Sequence, residues 1–97
     1  MAGSSNRQEA EEELLLRAAR LLDMAKRLGD DERRVLSYFM KNVSVGDIRA
    51  VLDLERLGVK NAETIIERLI DLGFLEKGTD CYNLSKPLRV YVFRKQR

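Results

Sequence analysis

The chain has 97 residues, 44% hydrophobic and 35% charged, which suits one folded domain with a modest core. It has no histidine and one cysteine, Cys81. This excludes an internal disulfide, most metal sites and every catalytic pair of a nucleophile with histidine. Without a glycine-rich phosphate loop as well, the sequence indicates a binding protein rather than an enzyme, with no cofactor and no metal.

The net charge of +2 is unevenly spread along the chain. Residues 1–30 and 31–73 each carry a net charge of −1, whereas residues 74–97 carry +4. The first residues have neither the basic nor the apolar region of a signal peptide, and no apolar run reaches membrane-spanning length. We therefore expect a cytoplasmic protein with no membrane partner.

Residues 1–7 are expected to be a disordered start, and residues 8–29 a long helix closed by Gly29. Its apolar residues follow heptad a and d spacing: Leu14, Ala18, Leu21, Ala25 and Leu28. Such a stripe either packs on the chain's own domain or forms a dimer contact.

Two shorter helices should follow. Asp30 or Asp31 is expected to cap the first of them. Ser44 and Asp47 have capping-box spacing for the second, at about residues 46–57. We expect that helix to bury Ile48, Val51 and Leu52.

A glycine turn at Gly58 and an N-cap at Asn61 predict a further helix over 61–72. Its apolar stripe has helical spacing: Ala62, Ile65, Ile66, Leu69 and Ile70. Gly73 stands where a left-handed C-terminal cap is wanted. Residues 74–77 and 81–84 then predict a hairpin with its turn at 78–80.

The C-terminal segment has two interpretations. Ser85 and Pro87 favour a helix start, whereas the β-branched and aromatic residues 89–94 also suit a strand. We favour a short helix, followed by a basic tail at 94–97.

Residues 31–84 resemble the winged helix-turn-helix superfamily, most of all small archaeal and bacterial dimeric transcription regulators. The order of elements and the run from Ala62 to Lys77, with its Leu-Gly-Phe-Leu junction, carry this resemblance. It implies a mainly α fold with a small β-hairpin, of the α+β class, in which residues 30–97 form the winged domain behind a long N-terminal helix. Because the winged core needs only three helices, we expect the N-terminal helix to make a homodimer.

The resemblance also implies a dimeric transcription regulator or chromatin-associated factor that binds double-stranded DNA, with a nucleoid location if the source is prokaryotic. The helix 61–72 would enter the major groove, and the hairpin 74–84 would touch the backbone. The residues expected to contact DNA are Lys60, Asn61, Thr64, Arg68, Lys77, Thr79, Lys86 and Arg89.

Acidic residues on the proposed recognition helix depart from this pattern. Glu63, Glu67 and Asp71 outnumber Lys60 and Arg68, and carboxylates turned toward phosphates oppose binding. The alternative is a winged-helix module that docks on protein in a replication, transcription or ribosomal assembly.

A third hypothesis is binding of RNA or single strands by the C-terminal region. Tyr82, Tyr91 and Phe93 would stack on bases beside Lys86, Arg89 and Arg94. At this apolar spacing, however, such aromatic residues more often belong to the core.

Overall fold

The computed structural model describes the backbone of residues 2–96 and the side chains of residues 10–96. The helices are α1 (Ala2–Ala25), α2 (Asp30–Lys41), α3 (Asp47–Arg56), α4 (Ala62–Leu72) and α5 (Lys86–Lys95). The strands are β1 (Ser44–Gly46), β2 (Leu75–Gly78) and β3 (Cys81–Leu84). Five helices with one small antiparallel sheet confirm the α+β class.

Helix α4 forms the centre of the core, as its periodicity predicts. Ala62, Ile66 and Leu69 are buried, and Ile65 and Ile70 pack at the edge. Gly73 adopts φ +95° and ends the helix in the left-handed conformation that favours glycine. The main core side chains around α4 are Val35, Phe39, Leu54, Val59, Phe74, Leu75, Leu84 and Leu88.

The sheet has the order β1-β3-β2, with both pairings antiparallel. The predicted hairpin is present, with a turn formed by Thr79 and Asp80, and β1 adds a third strand against β3. Side chains alternate along β3, so Tyr82 and Leu84 face the core. The sheet thereby closes one side of the core and places Tyr82 near α3.

Two predicted helix caps are wrong. Gly29, rather than Asp30 or Asp31, is the N-cap of α2, and its N–H donates to the Glu32 carboxylate over 2.9 Å. Ser44 does not cap α3, because it lies in β1 opposite Asn83 and hydrogen-bonds to that side chain. Pairing with a strand 39 residues away took precedence over the local capping pattern.

Residues 86–95 form helix α5, which decides between the two interpretations of the C-terminal segment. Ser85 is the N-cap residue, but its hydroxyl makes no capping hydrogen bond. The Glu76 carboxylate on β2 accepts from the Lys86 N–H instead, over 2.9 Å. A carboxylate at this helix end is favourable because free N–H groups point toward it.

Helix α1 starts at Ala2, earlier than the expected start at Gln8, and residue 1 lies outside the described residues. It ends at Ala25, before the expected boundary at Gly29. The helix packs along α5, where Glu11 pairs with Arg94.

Candidate docking site

Helix α3 exposes apolar side chains that we expected to be buried. Ile48 is 75% exposed and Leu52 45%, whereas Ala50 and Leu54 are fully buried. Helix positions two residues apart point about 200° from one another, so these pairs lie on nearly opposite sides of the helix. The prediction that α3 buries Ile48 and Leu52 is wrong because Ala50 and Leu54 face the core instead, while Val51 is half-buried between the two sides.

The exposed side of α3 forms one wall of an open groove of about 330 Å³. We call this feature the α3 groove; its residues are Asp47, Ile48, Val51, Leu52, Glu63, Lys77 and Tyr82. It brings α3, the start of α4 and the β2–β3 hairpin together. Concave, partly apolar surfaces with a few polar groups are the usual form of a binding site.

Tyr82 forms the floor of the α3 groove. It is 6% exposed and packs edge-on against Phe39, with ring centroids 6.5 Å apart. Burial raises the pKa of its phenol, while the nearby Lys77 opposes that rise. The Tyr82 ring is therefore anchored by its packing in the core.

Lys77 forms the wall opposite α3. Its Nζ lies 3.6 Å from the Asp47 carboxylate and 4.8 Å from the centroid of the Tyr82 ring. A cation over an aromatic face and beside a carboxylate is held from two directions. Lys77, expected to contact a DNA backbone, is therefore part of the groove.

The DNA contacts expected from α4 and the turn before it are all exposed: Lys60, Asn61, Thr64 and Arg68. Arg68 is turned toward α2, where its Nε lies 2.5 Å from the Glu32 carboxylate. Asn61 has the N-cap position but adopts φ +57° and makes no capping bond with its side chain. The exposed side of α4 thus presents Glu63, Glu67 and Asp71, and Arg68, the one cation of this helix, is already paired.

The remaining predicted DNA contacts follow the hairpin. Thr79 and Lys86 are exposed, whereas Arg89 is half-buried and lies 3.5 Å from the Glu76 carboxylate. Lys77, Arg68 and Arg89 are each drawn to a different carboxylate. The positive charge near the C-terminus is therefore partly neutralised within the chain.

The proposed dimerisation stripe faces the chain's own core. Ala18 is fully buried, while Leu21, Ala25 and Leu28 pack at the core edge and Leu14 is half-buried. The stripe therefore packs on the chain's own domain, which is one of the two interpretations of its spacing. Ala18 has no surface left for a second subunit, and the homodimer stays a prediction.

Two of the three aromatic residues considered for base stacking belong to the core. Tyr82 is buried and Tyr91 packs at the core edge, whereas Phe93 is 51% exposed. The placement of Tyr82 and Tyr91 agrees with the interpretation that aromatic residues at this apolar spacing belong to the core.

Sequence reasoning missed the residues that make the groove. Ile48, Leu52 and Tyr82 were each expected to face the core or to serve another role. One signal was present: Ile48 and Leu52 alternate with Ala50 and Leu54, so α3 is apolar on two sides. A short helix on the surface of a domain can bury only one of them.

Two further features of the described chain bear on function. Over residues 2–96 no helix is long and apolar enough to cross a membrane. Among the side chains of residues 10–96, no group of acidic or cysteine residues is arranged to hold a metal ion.

No curated protein matches the sequence. A family model does match it, over residues 29–90, which is more than half of the chain. The match covers α2, α3, α4, the whole sheet and the first half of α5, and it contains every residue of the α3 groove. The chain therefore belongs to the family described as PolB1 Binding Protein 2.

Proposed function

We propose that this protein is a docking subunit that binds DNA polymerase B1 through the α3 groove. The family is described by its binding to PolB1, a DNA polymerase, and the matched region holds the groove. This is the replication form of the protein-docking hypothesis drawn from the sequence. The single observation that carries it is the exposure of Ile48 and Leu52 on a helix whose other side is buried.

The charges around the groove favour a protein partner over nucleic acid. Glu63 lines the groove, and the exposed face of α4 continues with Glu67 and Asp71. Carboxylates repel phosphates, and Arg68 and Lys77 already have carboxylate partners. An apolar surface rimmed by charge is instead the usual form of a protein interface.

The energetics are adequate for a specific contact. Complete burial of a fully exposed isoleucine or leucine side chain contributes about 1.5–3 kcal/mol. Ile48, 75% exposed, can gain most of this on docking, and Leu52, 45% exposed, a smaller part. Ile48 and Leu52 stand one helical turn apart and line the groove with the core-packed Tyr82, as anchor residues do at the centre of an interface. Most of the binding energy is thus expected from these two positions.

The test is the affinity for purified DNA polymerase B1 of the wild type and of Ile48→Asp. A charge in the interface centre should raise Kd by at least about 30-fold, the loss typical of a hot-spot residue. Leu16→Asp is the matched control, because Leu16 is 63% exposed on α1 and lies outside the matched region. It should bind like the wild type.

Circular dichroism of both variants should match the wild type, since both positions are largely exposed. Unchanged polymerase binding by Ile48→Asp would contradict the proposal. The same preparations titrated with duplex DNA distinguish the other hypothesis. Strong duplex affinity that falls steeply with salt, with no polymerase binding, would favour the regulator predicted from the resemblance.

A further inference from the structure

We infer that the segment of DNA polymerase B1 that enters the α3 groove carries a bulky apolar side chain next to lysine or arginine. The inference rests on the proposed function and gives the chemistry of the partner surface. The apolar part follows from Ile48, Val51 and Leu52, and the basic part from the carboxylates beside them.

The carboxylates on the α4 side of the groove are free to receive a cation. Glu63 and Glu67 are exposed, and neither has an ion-pair partner among the side chains of residues 10–96. They stand one helical turn apart on α4. Glu63 lines the α3 groove itself, and Glu67 continues the same exposed face of α4.

The other charges of the groove leave this negative side uncompensated. Lys77 is occupied by Asp47 across the groove, at 3.6 Å. Arg68, the cation nearest in sequence to Glu67, is drawn to Glu32 on α2. A partner with acidic side chains would meet Glu63 and Glu67 as like charges, which costs affinity at an interface.

The groove also offers one polar group at its base. The Tyr82 hydroxyl makes no hydrogen bond to any side chain or backbone group within the described part of the chain. Among the described residues the one buried side-chain polar atom without a partner is Ser85 Oγ, so the Tyr82 hydroxyl is solvent-accessible and can take a hydrogen-bond partner there. A backbone carbonyl of the docked segment would supply one and would fix its orientation above Tyr82.

The experiment reverses the free carboxylates with Glu63→Lys and Glu67→Lys in one variant. Loss of two attractive charges and gain of two repulsive ones should weaken binding to purified DNA polymerase B1 by at least about tenfold at low salt. The effect should lie mainly in the association rate and should shrink as salt is raised. The control, Glu12→Lys with Glu13→Lys, makes the same change in net charge on the exposed surface of α1 and should bind like the wild type.

The outcomes separate this inference from the proposed function. Suppose that Ile48→Asp abolishes binding while the Glu63 and Glu67 variant binds as tightly as the wild type or more tightly. The inference of a basic partner segment is then wrong, and docking through the α3 groove is supported. If neither variant changes polymerase binding, the proposed function itself fails. Equal weakening by the α1 control would also overturn the inference, because total charge would then explain the effect.

Discussion

Helices α3 and α4 have similar length and a similar share of apolar residues, but the chain covers them differently. Ile66 and Leu69 of α4 are fully buried, and the polar side of the helix faces solvent. Helix α3 buries Ala50 and Leu54 and leaves Ile48 and Leu52 exposed on the other side. The contrast teaches that periodicity reveals an apolar face, but not whether the same chain covers it.

The largest expected difference between the two helices is in the free energy of unfolding. Ile66→Ala removes a fully buried side chain and should cost about 2–5 kcal/mol, since it leaves a cavity in the core. Ile48→Ala removes a side chain that is 75% exposed and should change stability by less than about 0.5 kcal/mol. Urea unfolding of both variants, followed by circular dichroism, measures these changes.

Equal losses in the two variants would contradict the comparison, because Ile48 would then be a core residue. A smaller loss of unfolding free energy in Ile66→Ala than in Ile48→Ala would mean that Ile48 is the more buried of the two side chains. The unfolding slope should stay constant across the series, as it does when the exposed surface on unfolding is unchanged.

Much of the fold follows from local patterns in the sequence. The stripe of α4, the left-handed Gly73 and the hairpin after it are all where spacing and turn chemistry put them. These features agree because each depends on residues close together in the chain.

The errors at Ser44 and in α3 have a different origin, since both depend on distant residues. Ser44 belongs to β1 because it meets Asn83, and the buried side of α3 is chosen by its packing on α4 and the sheet. Three of the five basic residues expected to bind DNA have carboxylate partners elsewhere in the chain: Glu32 for Arg68, Asp47 for Lys77 and Glu76 for Arg89. Their contact with DNA stays a prediction. Local sequence carries no record of such pairings.

A third side of α3 is neither buried in the core nor exposed and apolar, because polar contacts attach it to α2. The Tyr38 hydroxyl of α2 donates to the Asp53 carboxylate over 2.6 Å, and Arg49 lies 3.4 Å from the same carboxylate. Burial, with the hydrogen bond to Asp53, raises the pKa of Tyr38 to about 12. The same hydrogen bond is the main cause of the lowered pKa of Asp53.

We expect these two shifts to appear in the pH dependence of stability. The lowered pKa of Asp53 gives stability that is present above its ordinary value of 3.8 and is lost as pH falls through the folded pKa. The raised pKa of Tyr38 gives stability that is present below 10.0 and is lost as pH rises toward about 12. Tyr38→Phe should reduce the loss of stability at acid pH and the loss at alkaline pH.

The measurement is the free energy of unfolding in urea of the wild type and of Tyr38→Phe, at acid, neutral and alkaline pH. The difference between the two proteins should be largest near neutral pH and should narrow at acid and alkaline pH. A difference that stays constant with pH would mean that the Tyr38–Asp53 hydrogen bond does not hold α3.

The most direct test of the docking groove is amide hydrogen exchange of the chain alone and in complex with DNA polymerase B1. Amides of α3, from Asp47 to Arg56, should exchange more slowly in the complex, while those of α1 from residue 10 to residue 25 should be unchanged. Protection confined to α1, with the amides of α3 exchanging at the same rate free and bound, would contradict docking through the α3 groove.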